Sequence, residues 1–180
     1  MQFKGYLFRI EQHYNPIPHR QECHLSILLR LSSNFRRSMN NKSVVPLESC
    51  EPFVTKDGSL IRELLSHRNS TIRKQSLAEA TVPPRTSTDA HYHPMSEEIY
   101  YILEGTATMV LGDRSFLVRP GDAIAIPPGI VHWLDNAGFV PLRLLCCCSP
   151  GYEHDDTVMV DRVIADKLVE EKMTVDTKKE

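Results

Sequence analysis

The sequence has no long apolar run, no large net charge of either sign, no internal repeat and no low-complexity segment. Its longest apolar candidate, residues 25–31, contains Arg30 and is far shorter than the roughly 18 residues that a membrane span needs. The formal net charge of -2 offers no electrostatic attraction to a nucleic acid or to an acidic membrane surface. The 180 residues suffice for one well-buried domain. We therefore expect a globular protein whose partners include neither nucleic acid nor membrane.

The five cysteines are unevenly placed, because three are consecutive at Cys146, Cys147 and Cys148. In a strand, alternate residues share a face at a Cα separation of about 6.6 Å, which is at the far edge of disulfide geometry. A row of free thiols therefore predicts a reducing compartment, the cytoplasm, rather than a secretory route. Nothing in the sequence visibly lowers a thiol pKa, so we expect the cysteines to fill the interior rather than to act as redox groups or ligands.

The first 38 residues differ in composition from the rest of the chain. They contain six Lys/Arg against two acidic residues, and Pro16 and Pro18 interrupt any regular pattern. A basic amphipathic arm or an organelle transit peptide is one interpretation. The interpretation that we favour is an N-terminal extension over residues 1–43 that does not fold with the domain, with Met39 as an alternative start.

A short helix is predicted just before the strands begin. Residues 60–65 have apolar side chains at i, i+1, i+4 and i+5, and Asp57 or Ser59 supplies an N-cap. We expect this helix to cover one end of the domain.

Short apolar runs separated by turn residues dominate the rest of the chain. The breaks come at short, regular intervals, and Gly112-Asp113 lies where a tight hairpin requires it. This spacing predicts an all-β sandwich or closed barrel over residues 44–160. The charged, mildly helical residues 161–180 predict a frayed tail or a helix packed on the exterior. The predicted strands lie near residues 72–82, 88–93, 97–103, 106–111, 114–119, 122–126, 131–135 and 141–148.

Two histidines and a glutamate form a first chemical motif. His91 and His93 are two residues apart, so on a strand their imidazoles project from one face and can converge on one ion. A turn at Pro94 leads to Glu98, early on the next predicted strand, which returns a carboxylate toward the histidine pair. Gly105 ends that strand.

A second block supplies a third imidazole. It consists of Gly121, Pro127, Gly129, His132 and Asn136. The glycines, like Gly105 in the first block, are expected at turns that need positive φ or a close backbone approach. The asparagine is expected to satisfy the backbone of a turn rather than to contact a substrate.

Together the two blocks resemble the two motifs of the cupin superfamily, and the chain is identified as a member of its small single-domain type. The likeness is specific from His91 to Asn136 and extends over about residues 70–150. It implies a double-stranded β-helix, the jelly-roll barrel of cupins, and a homodimer. In the family the three histidines and the glutamate ligate one metal ion, and the residues in those positions here are His91, His93, Glu98 and His132.

The donor types by themselves favour a divalent transition metal. Three neutral imidazoles and one carboxylate suit Mn, Fe, Ni, Co, Cu or Zn better than Ca or Mg. Mn or Fe is the first expectation, and a six-coordinate ion would keep two positions for water, substrate or dioxygen. Zinc with four protein ligands could instead form a closed structural site. Histidines that are merely buried and hydrogen-bonded are the alternative to any metal.

Strand alternation sorts the residues around the predicted ligands. Tyr100 shares the face of the carboxylate ligand and is the candidate catalytic residue, as a proton donor or hydrogen-bond partner, with core packing as the alternative. Glu97 is expected in solvent, and Trp133 on the side away from the cavity, in a subunit contact. Residues 154–156 are expected to form an exposed loop, with a contact behind the metal ligands or in a lid as the alternative. The apolar pocket wall is predicted from Ile102, Ala125 and Leu134.

Two functions agree with these features. The first is a metalloenzyme that acts on a small organic molecule, since cupin resemblance implies dioxygenase, decarboxylase, isomerase or lyase chemistry without choosing among them. The mostly apolar pocket favours a neutral or aromatic substrate over a sugar phosphate. The second is a non-catalytic module that senses or sequesters a ligand or the metal. The first is preferred because no DNA-binding or other output domain accompanies the predicted barrel.

Overall fold

The computed structural model describes residues 43–167. The predictions for residues 1–42 and for those beyond Lys167 concern residues outside this range. The helical segments of residues 43–167 are short: Leu47–Ser49 and His154–Asp156, each one 3-10 turn, and residues 162–167. The strands are β1 (Phe53–Val54), β2 (Leu60–Leu65), β3 (Ser76–Val82), β4 (Thr86–Ser87), β5 (His91–Tyr92), β6 (Glu97–Glu104), β7 (Ala107–Leu111), β8 (Arg114–Val118), β9 (Ala123–Ile126), β10 (His132–Asn136), β11 (Leu142–Ser149) and β12 (Val158–Met159).

These strands form two antiparallel sheets that enclose one core. The first sheet has the order β1-β2-β3-β11-β6-β9, and the second has the order β12-β5-β10-β7-β8 with β4 beside β10. Ile102 and Leu144 of the first sheet and Met109 and Leu134 of the second belong to the same buried apolar cluster. The predicted all-β fold, a double-stranded β-helix, is confirmed.

Alternation along β6 shows how the sequence directs side chains to this core. Glu98, Tyr100 and Ile102 are buried, whereas Glu97 and Ile99 are exposed. Because successive side chains of a strand point to opposite faces, the polar Glu98 is carried inward together with apolar neighbours. The expectation that Glu97 lies in solvent is confirmed.

Residues 60–65 form strand β2, so the predicted helix is wrong. Leu60–Leu65 pair with β3 in antiparallel register, with Arg62 opposite Glu79. The carboxylate of Asp57 accepts hydrogen bonds from the backbone N–H (3.2 Å) and hydroxyl (2.8 Å) of Ser59, so it closes the β1–β2 turn instead of capping a helix. The spacing of the leucines fits a helical face, but pairing with β3 overrides this weak local preference.

Several turns match their predictions. Gly112 has φ +60° in the β7–β8 hairpin, where Leu111 pairs with Arg114. The motif glycines also have positive φ, with values of +82° at Gly105, +95° at Gly121 and +77° at Gly129. The side-chain amide of the fully buried Asn136 donates to the backbone carbonyls of Val82, Pro83 and Val140, as expected for a residue that satisfies turn backbone.

Trp133 points away from the main core and is buried beneath the chain's own Arg162 and Ala165. Its ring is 2% exposed and packs with Val110 and Ala165. The guanidinium of Arg162 lies 4.1 Å from the ring centroid. The helical residues 162–167 therefore cover Trp133, and the predicted subunit contact at this residue is wrong. None of the helical segments in residues 43–167 has the length and apolar content of a bilayer-crossing helix.

Candidate metal centre

Three histidines, two on neighbouring strands and one just after a strand, face a glutamate on the opposite sheet. His91 on β5 is the direct cross-strand partner of His132 on β10, and His93 follows β5. Glu98 lies near the start of β6, and all four side chains are buried. One ligand atom of each residue lies within 4.8 Å of the corresponding atom of every other. The fold therefore brings together the four residues that the motifs predict.

Backbone carbonyls determine the tautomers of two of the histidines. Nδ1 of His91 lies 2.9 Å from the carbonyl oxygen of Asp89, and Nδ1 of His132 lies 2.9 Å from that of Ile130. A carbonyl oxygen can only accept, so each Nδ1 carries the hydrogen. In the neutral ring Nε2 then holds a lone pair, which is the form that binds a metal ion.

The third histidine is held by the segment that follows β11. Nδ1 of His93 lies 3.1 Å from the carbonyl oxygen of Asp156. The carboxylate of Asp156 accepts the backbone N–H groups of Met95 and Ser96, both at 3.0 Å, and so closes the turn between β5 and β6. His154 and Asp155 are exposed as expected, but Asp156 makes the contact behind the predicted ligands that was the alternative.

The carboxylate of Glu98 has one partnered and one unpartnered oxygen. Oε1 accepts the thiol of Cys148 at 3.3 Å. Oε2 is buried without a hydrogen-bond partner, 3.5 Å from Nε2 of His93 and 3.4 Å from Nε2 of His132. A buried anionic oxygen beside imidazole lone pairs is costly unless a cation lies among them. The residues thus fit a metal ion, which would be held by three Nε2 atoms and Oε2.

The family assignment follows from comparison with known proteins. Residues 78–148 match the sequence profile of the cupin domain family. The uncharacterized protein MJ1618 of Methanocaldococcus jannaschii is 50% identical over 114 residues, which are 63% of this chain and 91% of that protein. The chain belongs to the cupin superfamily.

This cupin is also similar to two Streptomyces proteins. Polyketide synthase CurC of Streptomyces cyaneus is 30% identical over 136 residues, which are 71% of this chain and 88% of CurC. The structure of the polyketide cyclase RemF of Streptomyces resistomycificus superposes with a TM-score of 0.58 and 26% identity, covering 67% of this chain and 86% of RemF. Both similarities extend over most of the relative, so they concern the whole barrel.

Burial and charge set the protonation of the cupin's polar cluster. Burial alone would raise the pKa of Glu98, but in the metal-free protein hydrogen bonding and positive charge from His132 and His93, in the forms that carry a proton at Nε2, outweigh it and hold that pKa well below its usual value. Burial, together with repulsion from His132, lowers the pKa of His91 to about 4. Burial would lower the pKa of His93, but its contact with Glu98 raises it overall. At neutral pH Glu98 is therefore ionised and His91 is neutral.

A narrow cavity that His91, His93 and Glu98 line opens beside these side chains. The buried Tyr100 lines it, and its hydroxyl oxygen lies 3.5 Å from Nε2 of His132. Burial raises the pKa of Tyr100 well above its usual value, so the phenol keeps its proton. The candidate catalytic residue therefore lies within reach of a molecule bound near the histidines.

The apolar wall of the cavity differs in part from the predicted one. Leu134 lines the cavity, whereas Ile102 is fully buried in the core cluster. Ala125 is exposed, so its predicted place in the wall is wrong. The alternation of β9 was assigned with the wrong phase, because Ile124 and Ile126 are the residues that pack against the core.

Two residues contact the predicted ligands against the interpretation that was favoured for each. Cys148 was interpreted as apolar filling, yet its thiol donates to Glu98. Burial and the Glu98 carboxylate raise the pKa of Cys148 well above its usual value, so the thiol stays protonated and can donate. Asp156, the second of these residues, contacts His93 from a segment that was expected to be an exposed loop. Both contacts join residues at least 50 positions apart, and only the register of the sheets reveals them.

Proposed function

We propose that this cupin binds one divalent transition-metal ion, Mn or Fe, through His91, His93, Glu98 and His132, and acts as a metalloenzyme on a small organic molecule. The observation that carries the proposal is the buried Oε2 of Glu98, which has no hydrogen-bond partner beside imidazole Nε2 atoms. Mixed imidazole and carboxylate donors suit Mn or Fe. Ni, Co, Cu and Zn are the alternatives, which the reconstitution assay below distinguishes.

A bound ion would polarise a carbonyl or carboxylate oxygen of the substrate as a Lewis acid. The chain's own residues would orient the substrate and limit water. The cavity wall is largely apolar, which lowers the local dielectric and strengthens polar contacts inside. Tyr100 holds a proton at its hydroxyl, 3.5 Å from Nε2 of His132, and is proposed as the hydrogen-bond or proton donor to the substrate.

The charges around the cavity favour an uncharged substrate. Asp57, Glu63 and Glu98 contribute carboxylates to its lining. Among the described residues that line it there is no arginine, and the ammonium of Lys56 is engaged by the carbonyl oxygens of His154 (2.7 Å) and Thr157 (3.1 Å). This balance supports a neutral carbonyl compound or aromatic molecule over a sugar phosphate, and the similarity to a polyketide cyclase and to CurC supports the same choice.

The metal proposal is tested by reconstitution. The metal-free protein is supplied with each of Mn, Fe, Co, Ni, Cu and Zn, dialysed, and its metal content measured. We expect about one equivalent of one metal, and a loss of more than about 100-fold in affinity for His132→Ala. Glu97→Gln, on the exposed face of the same strand, is the control and should bind normally. Less than about a tenth of an equivalent with every metal would contradict the proposal.

The enzymatic proposal is tested by turnover of the loaded protein. Dioxygen uptake, decarboxylation and isomerisation are followed over diketones, polycyclic aromatic carbonyl compounds, flavonols, thiols, dicarboxylates and sugars. We expect turnover of a neutral carbonyl compound and a reduction of about 10²-fold or more in kcat for Tyr100→Phe with little change in KM. Saturable binding without turnover across the panel would support a sensing or sequestering function instead.

We also propose a homodimer, formed through the outer face of the first sheet. Ile99, Tyr101 and Leu103 are exposed on β6, an apolar row that a second copy could cover. Sedimentation analysis is expected to give a dimer for the wild-type protein and a monomer for Tyr101→Lys. Glu97→Lys, at the end of the same row, is the control for added charge alone. A monomeric wild-type protein would refute this assembly.

The proposed domain limits and compartment are tested with a shortened chain. We propose that residues 44–160 form the barrel, that 1–43 are an extension and 161–180 a tail whose helical residues 162–167 pack on the barrel, and that the protein works in the cytoplasm, where Cys146 and its neighbours stay reduced. A protein that starts at Met39 is expected to bind metal as the full chain does. Fractionation of the native cells, probed with antibody, is expected to find the protein in the cytoplasm.

A further inference from the structure

The thiol of Cys148 is the hydrogen-bond donor that the structure places on the carboxylate of Glu98. Cys148 on β11 and Glu98 on β6 are direct cross-strand partners. Their side chains meet inside the barrel, with Sγ 3.3 Å from Oε1, and the residues are 3% and 5% exposed. The other oxygen, Oε2, faces the imidazoles and has no hydrogen-bond partner.

We propose that Cys148 is a positioning residue: its thiol occupies Oε1 of Glu98 and thereby dedicates Oε2 to the metal ion. This inference rests on the proposed metal centre and adds a residue to it. The terminal torsion of a glutamate side chain is broad, so an unrestrained carboxylate can rotate and offer either or both oxygens. A donor fixed on the neighbouring strand removes that freedom, as partners behind metal ligands generally do.

The row of three thiols supplies its own controls. Cys146 also points inward and lines the cavity, but its cross-strand partner is Tyr100 rather than Glu98. Cys147 lies on the opposite face of β11, where it is half-buried. Alanine at each of the three positions removes the same sulfur atom, and only the change at Cys148 removes a donor to Glu98.

The test compares full-length wild-type protein with Cys148→Ala, Cys148→Ser, Cys146→Ala and Cys147→Ala. Affinity for Mn²⁺ and Co²⁺ is measured by competition with a chelator, and the visible spectrum of the Co²⁺ form reports the coordination. We expect Cys148→Ala to bind about 10- to 100-fold more weakly and to change the Co²⁺ spectrum. Cys148→Ser keeps a donor and is expected to recover part of both. The other two variants are expected to stay within about twofold of wild type.

A second readout needs no metal. The S–H stretching band that is lost in Cys148→Ala reports the hydrogen bond of this thiol in the metal-free protein. We expect this band to lie at lower frequency than that of Cys147, which is identified in the same way. Thermal unfolding of the metal-free variants shows whether a loss of affinity merely reflects a loss of fold.

The outcomes separate this inference from the proposed function. If wild-type protein binds metal and Cys148→Ala matches Cys147→Ala in affinity and spectrum, Cys148 is not a positioning residue, although the metal centre stands. If affinity falls but Cys148→Ser recovers none of it and the S–H band is that of a free thiol, the effect is one of packing, and the inference is again wrong. If wild-type protein binds no metal, the centre and this inference are both refuted.

Discussion

Burial keeps the imidazole of His91 in its neutral form. Its Nδ1 hydrogen is held by the carbonyl of Asp89, and its ring is almost fully enclosed. A positive charge on this ring would lose hydration and would lie close to His132, so its pKa falls to about 4. The imidazole is therefore neutral, with Nε2 as an acceptor, throughout the physiological pH range.

The stability of the metal-free protein should depend on pH through this residue. The folded-state pKa is about 4 and the ordinary value is 6.5, so the unfolded chain takes up the proton first as the pH falls. Between pH 6.5 and 4, His91 should progressively cost the folded state up to about 3 kcal/mol. Denaturant unfolding at pH 7 and pH 4.5 is expected to show a smaller acid-induced loss for His91→Gln than for wild type. His154→Gln, at an exposed position, should follow the wild-type curve, and parallel curves for all three proteins would refute the prediction.

At the scale of elements, the turn between β6 and β7 has no room for a side chain at Gly105. Gly105, between β6 and β7, has φ +82°, and a Cβ atom there would lie 2.6 Å from the carbonyl oxygen of Pro141. Gly121, after β8, has φ +95°, but a Cβ atom there would meet nothing within 4 Å. The two glycines therefore share the backbone strain of the left-handed region, and only Gly105 adds a clash with backbone.

Alanine substitutions at Gly105 and Gly121 should distinguish the cost of backbone strain from the cost of a steric clash. Gly121→Ala is expected to reduce the free energy of unfolding by about 1–2 kcal/mol through the left-handed backbone alone. Gly105→Ala is expected to lose a further ~1–3 kcal/mol because the Pro141 segment must move. Denaturant unfolding measures both losses. Equal losses would contradict the prediction, because they would show that the Pro141 segment moves at no measurable cost.

The 3-10 turn His154–Asp156 contacts the segment that carries His93 and the turn between β5 and β6. Asp156→Ala removes the acceptor of two backbone N–H groups, so we expect a loss of about 1–3 kcal/mol in stability. The His93 side chain should also lose part of its restraint, with a roughly 10-fold weaker metal affinity. Chelator competition and thermal unfolding test both effects. Asp155→Ala, its exposed neighbour, should change neither; a matching result for the two variants would exclude the positioning effect.

The elements also show what the sequence could and could not predict. Turn residues at short intervals were enough to predict the strands from β6 to β11, because glycine and proline mark chain reversals directly. The four predicted ligands lie in two local motifs and come together in the fold. Residues 60–65 were misassigned because their apolar positions fit a helical face, and the pairing with β3 that makes them a strand is not local information. The contacts of Cys148 and Asp156 depend on which strands pair and in what register, and that information is not local.

At the scale of the whole molecule, the C-terminal helical residues complete the barrel surface. Trp133 is the only tryptophan in the 180-residue sequence, and its ring lies beneath Arg162 and Ala165. Its fluorescence therefore reports whether this helix is in place. The ring lies on the opposite face of β10 from His132, so fluorescence of the metal-free protein reports the position of the helix alone.

A chain that ends at Val160 should expose this tryptophan. We expect a red-shifted emission maximum, stronger quenching by iodide, and a loss of about 1–3 kcal/mol in stability from the uncovered apolar surface. Arg162→Ala in the full chain should cost about 0.5–1 kcal/mol and leave the emission nearly unchanged, because only the cation–π contact is removed. Unchanged emission of the shortened chain would mean that the helix does not shield the ring.

The division of the predicted ligands between sheets has a consequence for unfolding. His91 and His132 belong to one sheet and Glu98 to the other, so an ion bound to all of them would join the two layers across the core as a cross-link. At a free metal concentration about 100 times Kd, binding to the folded state alone adds ~2.7 kcal/mol to its stability. The melting temperature of this barrel should then rise and fall with metal supply and chelation, and heat resistance would itself report metal content.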